Sequence, residues 1–173
     1  MADVKLIGNS NGTGTTQWSV NTIALQKFAA IASGSLTTIK LLIDAFGGSP
    51  YGKVAIYADN SGNPGAFLVS TASQALVSDS LNSFSIGPVD VVAGTSYWLA
   101  FNSTGATCVL RSSTVGSVCR YKTLTYSSAF PNPAGTGYSL STSRLTEIAG
   151  WSEETTSGTV VPLLMNQYRR RVA

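Results

Sequence analysis

The chain reads KVAIYADNSGNPGAFLVS over residues 53–70, and this stretch indicates the fold most clearly. In its first half Val54 and Ile56 point to one side of an extended backbone, whereas Tyr57 and Asp59 point to the other. An alternation with a period of two is typical of a β-strand that buries one face. Several turn-forming residues follow Asp59, and a second apolar run comes after them. The stretch therefore predicts a strand, a tight turn and another strand.

The same alternation recurs along most of the chain, and clusters of Gly, Pro and Asn separate the runs. About eight to ten short strands spaced by such turns predict an all-β fold, a two-layer antiparallel β-sandwich that is jelly-roll-like. One segment, Ala24–Ala32, fits either a helix or a strand that runs into a loop. The predicted strands lie at Ile23–Phe28, 39–43, 53–59, Phe67–Ser70, 83–86, 97–101, Thr107–Arg111, Val118–Thr125 and Arg144–Ile148.

The length of 173 residues predicts one domain with distinct ends. Residues 1–20 are expected to form an extended N-terminal arm, because Gly8–Thr16 consists mainly of Gly, Asn, Ser and Thr. Residues 21–150 form the predicted sandwich. Residues 151–173 become apolar, then aromatic, then basic, and two interpretations stay open for them: a final strand of the sandwich or a tail that docks on a partner.

The side chains needed for acid–base chemistry are scarce. The chain has no His and only eight carboxylates, and charged residues make up 11% of it, compared with roughly 25% in an average soluble domain. Without His, neither Ser nor Cys has its usual general base, and the common transition-metal sites lose their main ligand. The loop after Asp59 carries many oxygen atoms, but it has Pro64 and Ser70 where a calcium loop needs Gly and Glu. We therefore predict a non-enzymatic protein without a metal or cofactor.

Charge and hydropathy restrict the partners. The formal net charge is +3, and three of the eleven basic residues are Arg169, Arg170 and Arg171. The rest of the chain is nearly neutral and does not predict the basic face that binds nucleic acid. No apolar run approaches the roughly 18 residues that cross a bilayer, and the first residues do not resemble a secretory signal. We expect no membrane partner and synthesis in a cytoplasm.

Two cysteines are separated by a polar stretch that resembles a hairpin tip. Pairing strands about Ser113 and Thr114 places Cys108 opposite Cys119, at a distance that a disulfide can span. The alternative is a pair of buried thiols, which a reducing cytoplasm favours. The sequence leaves both possibilities open.

The tryptophans predict binding surfaces. Trp98 lies in the middle of a predicted strand and is expected to pack within a layer. Trp18 and Trp151 lie in polar surroundings near the two ends, where they suit either a subunit contact or the stacking of a sugar ring. A glycan is therefore a possible ligand.

Two segments resemble a strand–turn–strand unit of bacterial and bacteriophage β-sandwich domains. They are VAIYADNSGNPGAFL at residues 54–68 and VVAGTSYWLA at residues 91–100. Such domains occur in exported bacterial surface proteins and in phage virion proteins. With no recognisable secretory signal and with an arginine-rich end, the chain looks more like the virion proteins. The resemblance implies a structural protein of the virion, such as a capsid decoration or cement protein.

In that role the chain is expected to form a homo-oligomer, with a trimer favoured, and to bind the major capsid protein or another virion protein. The alternative is a carbohydrate-binding or adhesive module of a tail fibre or cell-surface protein. The residues predicted to bind partners are Trp18, Trp151, Leu163, Leu164, Met165, Tyr168, Arg169, Arg170 and Arg171.

Overall fold

The computed structural model of the chain describes residues 3–9, 14–48, 50–105, 107–112, 118–141 and 148–152. These residues form two packed antiparallel sheets, so the predicted all-β, two-layer antiparallel sandwich is confirmed. The strands are β1 (Val4–Gly8), β2 (Gly14–Ser19), β3 (Thr22–Ala29), β4 (Gly34–Phe46), β5 (Tyr51–Asn60), β6 (Asn63–Ser70), β7 (Gln74–Ala75), β8 (Ser80–Val91), β9 (Ser96–Ser103), β10 (Thr107–Ser112), β11 (Cys119–Thr123), β12 (Ser139–Ser141) and β13 (Ile148–Ser152).

The first sheet, sheet A, is organised around the long strand β4. One side of β4 pairs with β8, and the other side pairs first with β13 and then with β10. Strands β1 and β2 complete that side by pairing with β13 and β10. The centre of sheet A requires a glycine, because a Cβ on Gly150 would lie 2.2 Å from Leu36 Cδ1 and 2.8 Å from Ile7 Cγ2.

The second sheet, sheet B, has the strand order β12-β11-β3-β9-β5-β6, and β7 pairs with the start of β5. Strand β3 occupies Thr22–Ala29, so the strand interpretation of Ala24–Ala32 is correct and the helix is not. The hairpin predicted from residues 53–70 is confirmed as β5 and β6, which pair from Asn60 and Asn63 outward. Ser61 and Gly62 form the turn, and both have the positive φ that a tight hairpin turn requires.

The main hydrophobic core lies between the two sheets. The alternating residues Ile39, Leu41 and Ile43 of β4 face inward from sheet A, and Leu99 and Phe101 of β9 face them from sheet B. All five side chains are buried. The period of two in the sequence therefore corresponds to a real division between inner and outer faces.

The prediction of an N-terminal arm over residues 1–20 was wrong for the residues that the structure describes there. Strands β1 and β2 are part of sheet A, and Leu6, Ile7 and Trp18 are buried in the core. The polar composition of β2 is compatible with a strand because Thr15, Gln17 and Ser19 lie on its exposed face, while Thr16 and Trp18 point inward. At the other end, β13 includes Trp151 and Ser152, and residues 153–173 lie outside the described residues.

Of the predicted strand Arg144–Ile148, only Ile148 is described, and it begins β13. Within the described ranges, no helix has the length and hydropathy that crossing a membrane requires.

Candidate binding cleft

The outer face of sheet B carries a second, smaller hydrophobic core. Leu25, Tyr57, Trp98 and Ala100 are buried there, although they point away from sheet A. They are covered by residues 124–138, which we call the clamped segment, with Phe130 and Ala134 packed onto the sheet. Trp98 is fully buried, which confirms the prediction that it packs within a layer. The clamped segment therefore adds a third layer outside sheet B.

Lys53 fastens the first part of the clamped segment to sheet B. Its ammonium donates hydrogen bonds to the carbonyl oxygens of Tyr126 at 2.7 Å and Ser128 at 2.5 Å. The same ammonium lies 4.9 Å from the centroid of the Tyr126 ring and 5.0 Å from that of Phe130. Burial lowers the pKa of Lys53. The hydrogen bonds and the ring faces compensate for the lost hydration of the ammonium.

Lys122 fastens the second part in the same way. Its ammonium donates to the carbonyl oxygens of Ala134 at 3.1 Å and Thr136 at 3.4 Å, and it lies 4.1 Å from the centroid of the Tyr138 ring. Burial lowers the pKa of Lys122 and raises that of Tyr138 to about 12. A backbone hydrogen bond from Ala134 to the carbonyl of Gly65 ties the segment to the β5–β6 hairpin.

Asp59 joins the β5–β6 turn to the centre of sheet B. One carboxylate oxygen accepts the Gly62 N–H at 3.0 Å, and the other accepts the Trp98 indole N–H at 2.7 Å and faces the Lys27 ammonium at 3.3 Å. Burial alone would raise the pKa of Asp59, but the hydrogen bonds from Gly62, Trp98 and Lys27 and the charge of Lys27 outweigh burial and lower it. The acidic residue of this loop therefore holds a turn and an indole in place.

A cleft of about 410 Å³ opens where the hairpin turn, β11 and the clamped segment meet. Its charged residue is Arg120, whose guanidinium carbon lies 5.9 Å from the centroid of the Trp98 ring. Arg120 Nη2 reaches the Gly62 carbonyl at 3.4 Å. Arg120 Nε is buried and has no hydrogen-bond acceptor among the described residues. The cleft is lined by Asn60, Asn63, Pro64, Arg120, Gly135, Thr136, Gly137 and Tyr138.

This lining can form hydrogen bonds and supply positive charge. The amides of Asn60 and Asn63 and the hydroxyl group of Thr136 can donate and accept, whereas Arg120 only donates. The Tyr138 hydroxyl donates to the Ala134 carbonyl at 3.0 Å and keeps its capacity to accept. Among the described residues, the lining contains no carboxylate. Its residue types therefore suit the binding of a polar or anionic small molecule.

Two of the predicted partner-binding residues are buried or partly buried in the structure. Trp18 is only 2% exposed and packs against Tyr121, with the ring centroids 5.9 Å apart, so its predicted role in subunit contact or sugar stacking was wrong. Trp151 is partly buried on β13, where the Lys40 ammonium lies 5.0 Å from its ring centroid. Its binding role stays a prediction. The other predicted partner residues, Leu163, Leu164, Met165, Tyr168, Arg169, Arg170 and Arg171, lie outside the described residues.

The predicted hairpin that opposes Cys108 and Cys119 was also wrong. Cys108 lies on β10 in sheet A, opposite Trp18 and Phe46, whereas Cys119 lies on β11 in sheet B, opposite Gln26 and Ser141. Both cysteines are buried thiols, as the alternative interpretation expected. The polar residues between them join two sheets, and turn chemistry alone cannot distinguish such a crossover from a hairpin.

We expect the Cys108 thiol to make the protein sensitive to alkaline pH. Burial raises its pKa from 9.0 to about 12, although a hydrogen bond with Ser103 lowers it somewhat. Because the folded-state pKa lies above the unfolded one, this contribution to the free energy of unfolding is complete below pH 9 and is lost as the pH rises towards 12. The loss should reach about 4 kcal/mol, at about 1.36 kcal/mol for each pKa unit.

Urea denaturation of the wild type and of Cys108→Ala at several pH values between 8 and 12 measures this effect. Tyr57 and Tyr138, whose pKa values burial also raises, are present in both proteins, so the difference between the two profiles isolates the thiol. The variant should be less stable at pH 8 and should lose less stability on the way to pH 12. Parallel profiles would contradict this prediction.

The sequence alone did not identify Arg120, Lys53 or Lys122 as site residues. A signal was nevertheless present on the outer face of sheet B. Tyr57 and Trp98 lie on that face beside Lys53 and Arg120, and large apolar side chains on an outer face indicate that something covers it.

Comparisons with known proteins add no family assignment. A scan against protein-family models gave no match, and no curated protein matches the chain significantly.

Proposed function

We propose that the chain is a non-enzymatic structural protein of a phage virion, a decoration or cement protein that oligomerises and binds the particle surface. The observation that carries the proposal is a set of exposed apolar side chains near one end of the sandwich. We call this surface the apolar end and define it by Val4, Ile31 and Val92, whose exposed fractions are 41%, 63% and 57%.

The loops of the apolar end are fixed by backbone hydrogen bonds. The N–H of Ala30 donates to the Thr95 carbonyl at 2.9 Å, and the N–H of Gly94 donates to the Ala30 carbonyl at 2.8 Å. Ile31 N–H donates to the Leu6 carbonyl at 2.8 Å, which attaches these loops to β1. The apolar side chains are therefore presented on a preorganised surface, and this reduces the entropy lost when a partner binds.

The energetics favour assembly through this end. Fully burying one Val or Ile side chain contributes roughly 1.5–3 kcal/mol, and a symmetric oligomer repeats that gain in every subunit. The near-neutral sandwich keeps electrostatic repulsion between copies small. Residues 159–173, with their apolar and arginine-rich composition, are a second proposed contact, and their guanidinium groups suit carboxylates on the capsid.

We expect the double variant Ile31→Lys, Val92→Lys to lose binding to the virus particle, because two ammonium groups would have to be desolvated in the interface. Co-sedimentation of the full chain with particles of the virus that encodes it measures binding. The fold should remain, since both side chains are exposed in the single chain. Thermal unfolding checks this.

The matched control is Val77→Lys, Leu81→Lys, which places the same charges on two exposed apolar positions at the opposite end. This control should bind particles like the wild type. Equal binding by all three proteins would contradict a role for the apolar end, and a chain that ends at residue 158 then tests the second contact. If neither change reduces binding, the proposed attachment is wrong.

A second candidate function, a carbohydrate-binding or adhesive module, is favoured by the cleft at Arg120. The cleft combines amide, hydroxyl and guanidinium groups beside the Tyr138 ring. Such a mixture of polar groups and a ring face is suited to sugars. The two functions are compatible in one chain, because the cleft and the apolar end are formed by different residues.

A further inference from the structure

We infer that the cleft binds a saccharide that carries a carboxylate, such as a uronic acid or a sialic acid. In this arrangement the Arg120 guanidinium pairs with the carboxylate, and Asn60 and Asn63 bind neighbouring hydroxyl groups. The inference rests on the second candidate function and specifies its ligand class.

Arg120 lines the cleft and brings hydrogen-bond donors to it. A guanidinium has five N–H donors, and the Gly62 carbonyl takes one of them through a long contact of 3.4 Å. The Nε–H is buried and finds no acceptor within the described part of the chain. Because the Nε–H is shielded, a ligand in the cleft meets the Nη groups, and charge-assisted hydrogen bonds from them contribute to the binding free energy.

The guanidinium is also preorganised. It lies over the face of Trp98, and the indole N–H of Trp98 is itself held by Asp59. Asp59 is fixed in turn by the Gly62 N–H of the hairpin turn. A guanidinium group that is already oriented can bind the two oxygens of a carboxylate with little further loss of conformational entropy.

The local charge favours an anion. Asp59 is the acidic group near Arg120, and Lys27 at 3.3 Å balances its charge. Lys122 adds a second cation behind the cleft, because its ammonium binds the carbonyl oxygens of Ala134 and Thr136. The net charge around the cleft is therefore positive. Its attraction for an anion is stronger in partly buried surroundings than in bulk water.

The remaining groups favour a sugar over other anions. Asn60, Asn63 and Thr136 offer donors and acceptors at short spacing, which suits adjacent hydroxyl groups. Pro64 and the Tyr138 ring provide the apolar surface on which the C–H face of a sugar can pack. The volume of about 410 Å³ lies in the range of small-molecule sites.

Calorimetric titration of the full chain with an oligosaccharide of glucuronic acid, and with the matching oligosaccharide of glucose, tests the inference. The two probes differ in the carboxylate. We expect the acidic saccharide to bind about tenfold or more tightly than the neutral one, because a charge-assisted pair is stronger than a neutral hydrogen bond. A sialic acid glycoside serves as a second acidic probe.

Three variants locate the site. Arg120→Gln should weaken binding of the acidic saccharide by about tenfold to a hundredfold. Lys40→Gln removes the same charge from the outer face of sheet A and should leave affinity within about twofold. Asn63→Ala changes an exposed residue at the start of β6 and should weaken the binding of both saccharides, so it serves as the second test of the site if Arg120→Gln impairs the fold.

Each outcome decides a separate claim. Equal affinity for both saccharides, with Arg120→Gln unchanged, contradicts the acidic specificity but keeps a sugar-binding module. No binding of either acidic probe or of the neutral saccharide up to about 10 mM contradicts the inference and the second candidate together. Binding of an aspartate-rich peptide at Arg120 without saccharide binding also overturns the inference. None of these results affects the particle-binding test, which uses other residues.

Discussion

Trp18→Ala is expected to lower the free energy of unfolding by about 3–5 kcal/mol, as is typical of a large buried aromatic side chain. Trp18 is 2% exposed and fills the space between the two sheets beside Tyr121. The cavity left by the indole cannot close easily, because β2 is paired along its whole length with β10. Urea denaturation followed by circular dichroism measures the effect.

Gln17→Ala is the matched control for this prediction, since Gln17 is on the same strand and points outward. Its effect should stay within about 0.5 kcal/mol. If Trp18 belonged to an arm that docks on a partner, Trp18→Ala would leave the stability of the isolated chain unchanged. That result would contradict the position of β2 in sheet A.

Lys53→Met is expected to lower the free energy of unfolding by about 1.5–3 kcal/mol, because it removes the charged donor of two partly buried hydrogen bonds. Methionine retains most of the stem, so the packing under the clamped segment changes little. The lost interactions are the hydrogen bonds to Tyr126 and Ser128 and the contacts with two aromatic rings. Residues 124–138 should also become more sensitive to limited proteolysis, as this segment loses one of the two lysines that attach it to sheet B.

Lys40→Met provides the comparison, because Lys40 also lies over an aromatic ring and pairs with Asp3, but on the outer face of sheet A. A partly exposed ion pair contributes about 1 kcal/mol or less, so this variant should be much milder. Equal effects of the two substitutions, or protection of residues 124–138 in Lys53→Met, would show that Lys53 does not fasten the segment.

The strands could be predicted because their signal is local. Val54 and Ile56, and likewise Leu99 and Phe101, alternate with outward-facing residues, and this follows from the geometry of an extended backbone. The β5–β6 turn was also predictable, since Gly62 supports the positive φ that the turn requires.

The pairing of strands was harder to predict, because it depends on contacts that are distant in the sequence. The stretch between Cys108 and Cys119 has the composition of a hairpin tip, yet its two strands pair with β2 and β4 in one sheet and with β3 and β12 in the other. The polar residues of β2 suggested an arm for a similar reason. Composition reports the exposed face of a strand and says nothing about which neighbour it pairs with.

The cleft could not be predicted from spacing, because its parts are brought together by the fold. Arg120 and Asn60 are separated by 60 positions in the numbering, and they meet because β11, β3, β9 and β5 are consecutive strands of sheet B. The segments at residues 54–68 and 91–100 are joined by the pairing of β5 with β9 and by the hydrogen bond from Trp98 to Asp59. That hydrogen bond helps to fix the hairpin turn on the sheet.

The central claim is that this chain works by assembling through the apolar end. Light scattering coupled to size-exclusion chromatography tests it most directly, using the full chain and the Ile31→Lys, Val92→Lys variant. The account predicts a wild-type mass three times the 18.0 kDa of one chain and a variant mass equal to one chain. A wild type that stays monomeric at every concentration, or a variant that assembles like the wild type, would contradict it.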